Sequence, residues 1–142
     1  MLNALDFPEA VAVPALADIP ELRLEKMLAE VVIVGSTSRA ALERVVEVQV
    51  KELDDCWPND PETLLLTRSA LRIALWSFGC QAVALRAGGR PNLQTVNQSV
   101  AALREATIRD LVERGLSQAQ VGRALGINKA DVSRAAAGHR RR

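Results

Sequence analysis

Apolar residues recur at spacings of three and four along most of the chain, which is the period of a helix with one buried side. A segment from Pro20 to about Val34 is expected as a first helix opened by Pro20. Its end, Val31-Val32-Ile33-Val34-Gly35, also has the composition of a buried strand, but no companion strand is visible elsewhere and helix is preferred. Ser36, Thr37 and Ser38 offer caps for a second helix reaching Asp55, with Leu42, Val45, Val46, Val48, Gln49 and Leu53 along its apolar side. Asp60-Pro61-Glu62 then combines a capping carboxylate, a first-position proline and an acid in the first turn, a strong start for a third helix. That helix should reach Ala87 and stop at Gly88-Gly89, and it is apolar around much of its circumference. A fourth helix is expected between Pro91 and Gly115, with Leu93, Val96, Val100, Leu103, Thr107 and Leu111 as a one-sided stripe.

The last 27 residues, from Leu116 to Arg142, carry a denser set of signals. Ser117 and Gln120 form a capping box, with Leu116 and Val121 as its hydrophobic staple. A helix should therefore begin at Gln118, and Gly126 is placed to end it in the left-handed conformation. Asn128 with Asp131, and Ile127 with Val132, repeat the box and the staple, so a second short helix should begin at Lys129 and end near Gly138. At about 100° per residue, Val132 and Ala135 face one way, while Lys129, Ala130, Ser133, Arg134 and Ala137 face the other. Gly122 should allow the two helices to cross closely.

Charge changes this picture more than composition does. The net charge of the 142 residues is only +1, yet residues 1–63 carry 13 acids and 5 bases, and the remainder 4 acids and 13 bases. An acidic front joined to a basic back is what a partner-binding region joined to a nucleic-acid-binding region would show. The hydrophobic share of 49% supports a real core, and aromatics at 3% make it aliphatic. Pro8, Pro14 and Pro20 rule out a long helix at the start. The expected organisation is all-α: an extended proline-containing arm over 1–19, a helical bundle scaffold over 20–115, and a C-terminal helix-turn-helix with a basic tail over 116–142.

Other chemistry is weakly represented. Cys56 and Cys80 make neither a disulfide framework nor a CxxC pair, and with one histidine, His139, a Cys/His zinc site is not expected. Asp54, Asp55 and Asp60 lack the ligand spacing of a calcium or magnesium loop. Gly35-Ser36-Thr37-Ser38 lacks the further glycines or lysine of a phosphate loop. No nucleophile-and-base setting is present, so no enzyme, cofactor or metal is expected. The first residues lack a basic leader and include Asp6 and Glu9, and no apolar run approaches the ~18–20 residues of a membrane span. The expected compartment is the cytoplasm, without membrane contact.

Residues 116–138 resemble the helix-turn-helix of lambda-repressor/Cro-type regulators. Gln118 opens the motif, Val121 and Leu125 are its inward positions, Gly122 its small residue and Gly126 its turn glycine; Val132 and Ala135 are the inward residues of the recognition helix. Gly-Leu-Ser-Gln, Gly-Ile-Asn and Val-Ser-Arg also resemble the central motif of ParB-type partition proteins and, more loosely, Trp repressor. The resemblance departs in one respect: Cro-type domains continue with further helices, so any supporting helices of this chain must precede the motif. It implies that Gln118 touches a phosphate, and that Asn128, Lys129, Ala130, Ser133 and Arg134 lie near base edges or phosphates. Arg134 is the best match to a guanine edge, and Arg140, Arg141 and Arg142 would add phosphate or minor-groove contacts.

The expected function is a sequence-specific double-stranded DNA-binding transcriptional regulator, a repressor of bacterial, plasmid or phage origin. Two alternatives remain: a DNA partition or packaging adaptor, and a helical docking factor that contacts RNA or a polymerase. A homodimer is expected, because the third helix carries more apolar surface than its neighbours should cover, with Trp57, Trp76 and Phe78 as anchors. A protein partner at the acidic N-terminal half is the further expectation.

Overall fold

The structure, a computed structural model, describes residues 13–35, 38–56, 60–86 and 93–137. Among these the chain is helical throughout and forms no strand. A short 3-10 turn, Pro14–Leu16, precedes six α-helices: α1 Glu21–Gly35, α2 Arg39–Cys56, α3 Pro61–Arg86, α4 Leu93–Glu113, α5 Gln118–Leu125 and α6 Lys129–Ala136.

The starts of these helices follow from local chemistry. The Pro20 carbonyl accepts the Leu24 N–H at 3.0 Å, so Pro20 sits one position before α1 rather than inside it. Of the three hydroxyl residues offered for α2, Ser38 serves: its Oγ accepts the Ala41 N–H at 3.1 Å. Asp60 Oδ1 accepts the Thr63 N–H at 2.6 Å, and Pro61 needs no partner for a missing donor. That hydrogen bond holds the Asp60 carboxyl below its ordinary range. The four β-branched residues ending α1 are helical because their burial is one-sided: Val31 is buried and Ile33 is 66% exposed.

α3 is the centre of the molecule. It packs against α1, α2, α4, α5 and the turn at Pro14–Leu16. Leu71, Ala74 and Leu75 are fully buried, and Trp76 and Phe78 nearly so. Much of the apolar circumference of α3 is thus covered within one chain, while Leu64, Leu65, Leu66 and Val83 are half-buried; Trp57 lies outside the described residues. Close approach is secured at Gly79, where a Cβ would lie 2.9 Å from Val31 Cγ1 and 2.2 Å from Leu42 Cδ1. Any side chain there would push α1 and α2 away from α3. Arg72 donates to both carboxylate oxygens of Glu47, at 2.7 and 3.0 Å, and joins α3 to α2.

Of the arm expected over 1–19, residues 1–12 lie outside the described residues; residues 13–19 include a 3-10 turn that lies against α3 and α5, with Leu16 and Ile19 buried. One expectation about α2 is corrected. Val48 does not belong to the apolar side of α2, being 52% exposed, whereas Gln49 beside it is buried. The fourth-helix stripe holds at Val100 and Leu111, with Ile108 as an additional buried position and Leu103 and Thr107 half-buried. One continuous cluster of buried residues runs from Leu16 to Ala135, so α5 and α6 share the scaffold's core instead of forming an appendage. Among the described residues, no helix is long and apolar enough to cross a membrane and no group of His, Cys, Asp or Glu could hold a metal ion.

Candidate nucleic-acid interface

The path into the C-terminal helices is fixed by two glycine stops. At the end of α4, Gly115 adopts φ +104°, its N–H donates to the Val112 carbonyl at 3.0 Å, and the Leu116 N–H donates to Leu111 at 3.2 Å. The carbonyls left over by the last turn are thereby satisfied, and Leu116 is folded back into the core beside Leu111. Ser117 then caps α5 with both halves of the box in place: Ser117 Oγ accepts the Gln120 N–H, and Gln120 Oε1 accepts the Ser117 N–H, each at 3.0 Å. Gln120 Nε2 also donates to Glu62 at 2.9 Å, tying the start of α5 to the start of α3.

α5 ends at Gly126, whose φ of +71° is left-handed, and the Ile127 N–H returns to the Gly122 carbonyl at 2.8 Å. Gly122 is where the pair is closest. A Cβ there would lie 2.7 Å from the Ile127 carbonyl oxygen and 3.2 Å from Val132 Cγ2. Val121 and Val132 are fully buried, Leu125 and Ala135 nearly so, and together they hold the two helices against α3 and α4. α4 supports α6, and α3 supports α5.

α6 is capped by Asn128, whose Oδ1 accepts the Asp131 N–H at 2.8 Å. The reciprocal half of this second box is not formed. The Asp131 carboxylate instead pairs with the Arg134 guanidinium one turn along α6. Both side chains are about half exposed, and a pair in that setting contributes about 0–1 kcal/mol, so an outside partner could displace it.

The outward side of α6 carries Asn128, Lys129, Ala130, Ser133 and Arg134, all exposed. Gln118 is half-buried at the first position of α5, and Arg123 is exposed on α5. Five of the six described site residues named from sequence thus lie exposed at α6 and its cap, and Gln118 lies apart from them on α5. Arg140, Arg141 and Arg142 lie outside the described residues. Two groups were missed by sequence reasoning. Asp131 puts an anion on this surface; its membership of an expected capping box hid it. Arg104, exposed on α4, lines a cleft of about 310 Å³ with Asn128, Asp131 and Ile127. Only the packing of α4 against α6 brings Arg104 there, and no local pattern signals it.

The resulting surface is narrow and bears small side chains at Ala130 and Ser133, flanked by cations at Lys129 and Arg134. Such a face offers donors without bulk, which a groove about 12 Å wide requires of an entering helix. Compared with known proteins, the chain matches no family model, no curated protein and no solved structure.

Proposed function

We propose that the protein binds double-stranded DNA through α5 and α6 acting as a helix-turn-helix, with α6 as the recognition helix, and that it regulates transcription as a repressor. The observation that carries this reading is the outward face of α6. Its inward residues, Val132 and Ala135, are consumed by the core, while Lys129, Ala130, Ser133 and Arg134 remain exposed on an eight-residue helix capped by Asn128. The fold spends two left-handed glycines, one complete capping box and a glycine contact to present that helix.

The roles follow from chemistry. Asn128 spends its oxygen on the α6 cap and keeps its NH2 group as an outward donor. Lys129 supplies a point charge for phosphate. Arg134 supplies the fork that matches O6 and N7 of guanine, once Asp131 releases it. Ser133 and Ala130 permit close approach of the helix to base edges. Arg104 borders this face from α4, where a duplex backbone would run, and Gln118 at the first position of α5 would reach a phosphate.

The decisive experiment is selection of bound duplexes from a random pool, followed by binding to the enriched sequence across a salt series. Enrichment of a defined site and a steep fall in affinity with salt are expected, because neutralised phosphates release counterions. No enrichment, or equal affinity for single-stranded RNA, would move the reading to a docking factor.

A further inference from the structure

The most exposed large hydrophobic side chains among the described residues are Leu22 at 80%, Ile33 at 66%, Val48 at 52% and Val34 at 44%, and all four belong to α1 and α2. The other large hydrophobic side chains among the described residues are buried or half-buried, so this clustering marks one face of the molecule. Between the two helices runs a groove of about 710 Å³ whose walls include Lys26, Glu30, Val34, Arg44, Val48 and Glu52. α1 and α2 pack against each other and against α3, whereas α6 packs on α4 and α5.

The charges on this face have an order. Arg44, Val48 and Glu52 follow one another at intervals of four, so they form a single row along α2: cation, apolar side chain, anion. On α1, Lys26 and Glu30 stand one turn apart, again cation before anion. None of these four charged side chains is ion-paired among the described residues. A two-fold axis at Val48 would lay α2 antiparallel to α2 of a second copy. Val48 then meets Val48, Arg44 meets Glu52 and Glu52 meets Arg44. The same rotation sets Lys26 against Glu30 at the α1 edge.

We infer that the α1–α2 face is the interface of a two-fold homodimer, in which two α1–α2 pairs assemble into an antiparallel four-helix contact. A two-fold interface must be complementary to itself. A row that reads cation, apolar, anion satisfies this condition, whereas a face of one charge sign would call for a different partner. The exposed Ile33 and Leu22 extend the apolar area beyond the axis. This dimer uses neither α3 nor the α6 face, and it does not depend on the DNA reading.

The test is the oligomeric state of the full chain, measured by light scattering and sedimentation without nucleic acid. A dimer at micromolar concentration is expected. Val48→Asp should give a monomer with unchanged helical circular dichroism. Arg44→Glu and Glu52→Arg should each weaken association by about tenfold or more, because each places like charges together across the axis. The double variant R44E/E52R reverses both rows and should recover the dimer. A wild-type monomer at hundreds of micromolar would overturn the proposal. So would a dimer indifferent to Val48→Asp, or a double variant no stronger than the singles. Since duplex binding is not the readout, failure of the DNA reading would leave these outcomes intact.

Discussion

Replacing Gly122 by alanine adds one methyl group at the closest point between α5 and α6. The added carbon would stand 2.7 Å from the Ile127 carbonyl oxygen and 3.2 Å from Val132 Cγ2. The second contact is soft, because a valine methyl can give by a few tenths of an ångström. The first is not, because that oxygen belongs to the backbone of the turn, whose Ile127 N–H is itself bonded to the Gly122 carbonyl at 2.8 Å. Relief requires α6 to move away from α5 as a unit, opening the core around Val121 and Val132. Overpacking of this kind costs about 1–3 kcal/mol. Alanine's better helix propensity returns about 1 kcal/mol, which leaves a net loss of up to about 2 kcal/mol. In a chain of 142 residues that is a fall in Tm of up to about 8 °C. Thermal denaturation followed by circular dichroism measures it. Gly115→Ala is the control: its Cβ meets nothing within 4 Å, so only its φ of +104° opposes substitution. Duplex affinity separates the two variants further, since G122A displaces the reading helix and G115A does not. A G122A protein more stable than wild type would refute the assignment of Gly122 as the steric determinant of the pair.

Three other outcomes are expected. Arg134→Ala should relax selectivity at one base position and cost about 1–3 kcal/mol on the preferred duplex, whereas Asp131→Asn should strengthen binding to all duplexes by removing an anion from the reading face; competition binding with single-base variants distinguishes the two. Burial raises the Cys80 thiol above its ordinary range, against the smaller opposing effects of Arg39 and Ser99, so in a Cys56→Ser background Cys80 should alkylate slowly until the protein unfolds, as read by mass spectrometry. The Thr63 N–H lowers the Asp60 carboxyl, so its contribution is present above the ordinary carboxylate range and is lost as pH falls through the folded value; the Tm advantage of wild type over Asp60→Asn should therefore shrink on acidification from neutral pH.

What could be read from sequence was local. Ser117, Gln120, Gly126, Asn128 and Asp60 act within a few residues of themselves, and each does in the fold what its spacing implies. What could not be read depends on which elements meet. The apolar circumference of α3 signalled burial but not by what, and five surrounding elements of the same chain supply much of the cover. Val48 sits about 120° around α2 from Leu42 at 100° per residue, on the flank of the helix, where hydrophobicity alone does not tell a core side chain from a surface one. Gln49 is buried in its place because it points toward the core direction, despite its polarity. Gly79 gave no signal at all, since close helix crossing is a tertiary fact.

The electrostatics of the C-terminal pair are more selective than the split between an acidic front and a basic back implies. The fold returns part of the acidic half to the reading end: Glu62 is bonded to Gln120 at the start of α5, and Asp18 lines the same cleft as Arg123. Phosphates drawn toward α5 would meet these carboxylates, whereas Lys129 and Arg134 lie on α6, with Arg104 lining the cleft beside its start. Asp131 further offsets the attraction of Arg134 for any phosphate. An interface built only to hold DNA would not keep acids there, because each one lowers affinity for every sequence alike. On a reading face the Asp131–Arg134 pair, worth about 0–1 kcal/mol, is exchanged most readily for a partner that takes the Arg134 fork in two hydrogen bonds. Under the proposed DNA-binding function, this arrangement fits a regulator that reads a site better than a packaging or partition factor that coats DNA by charge.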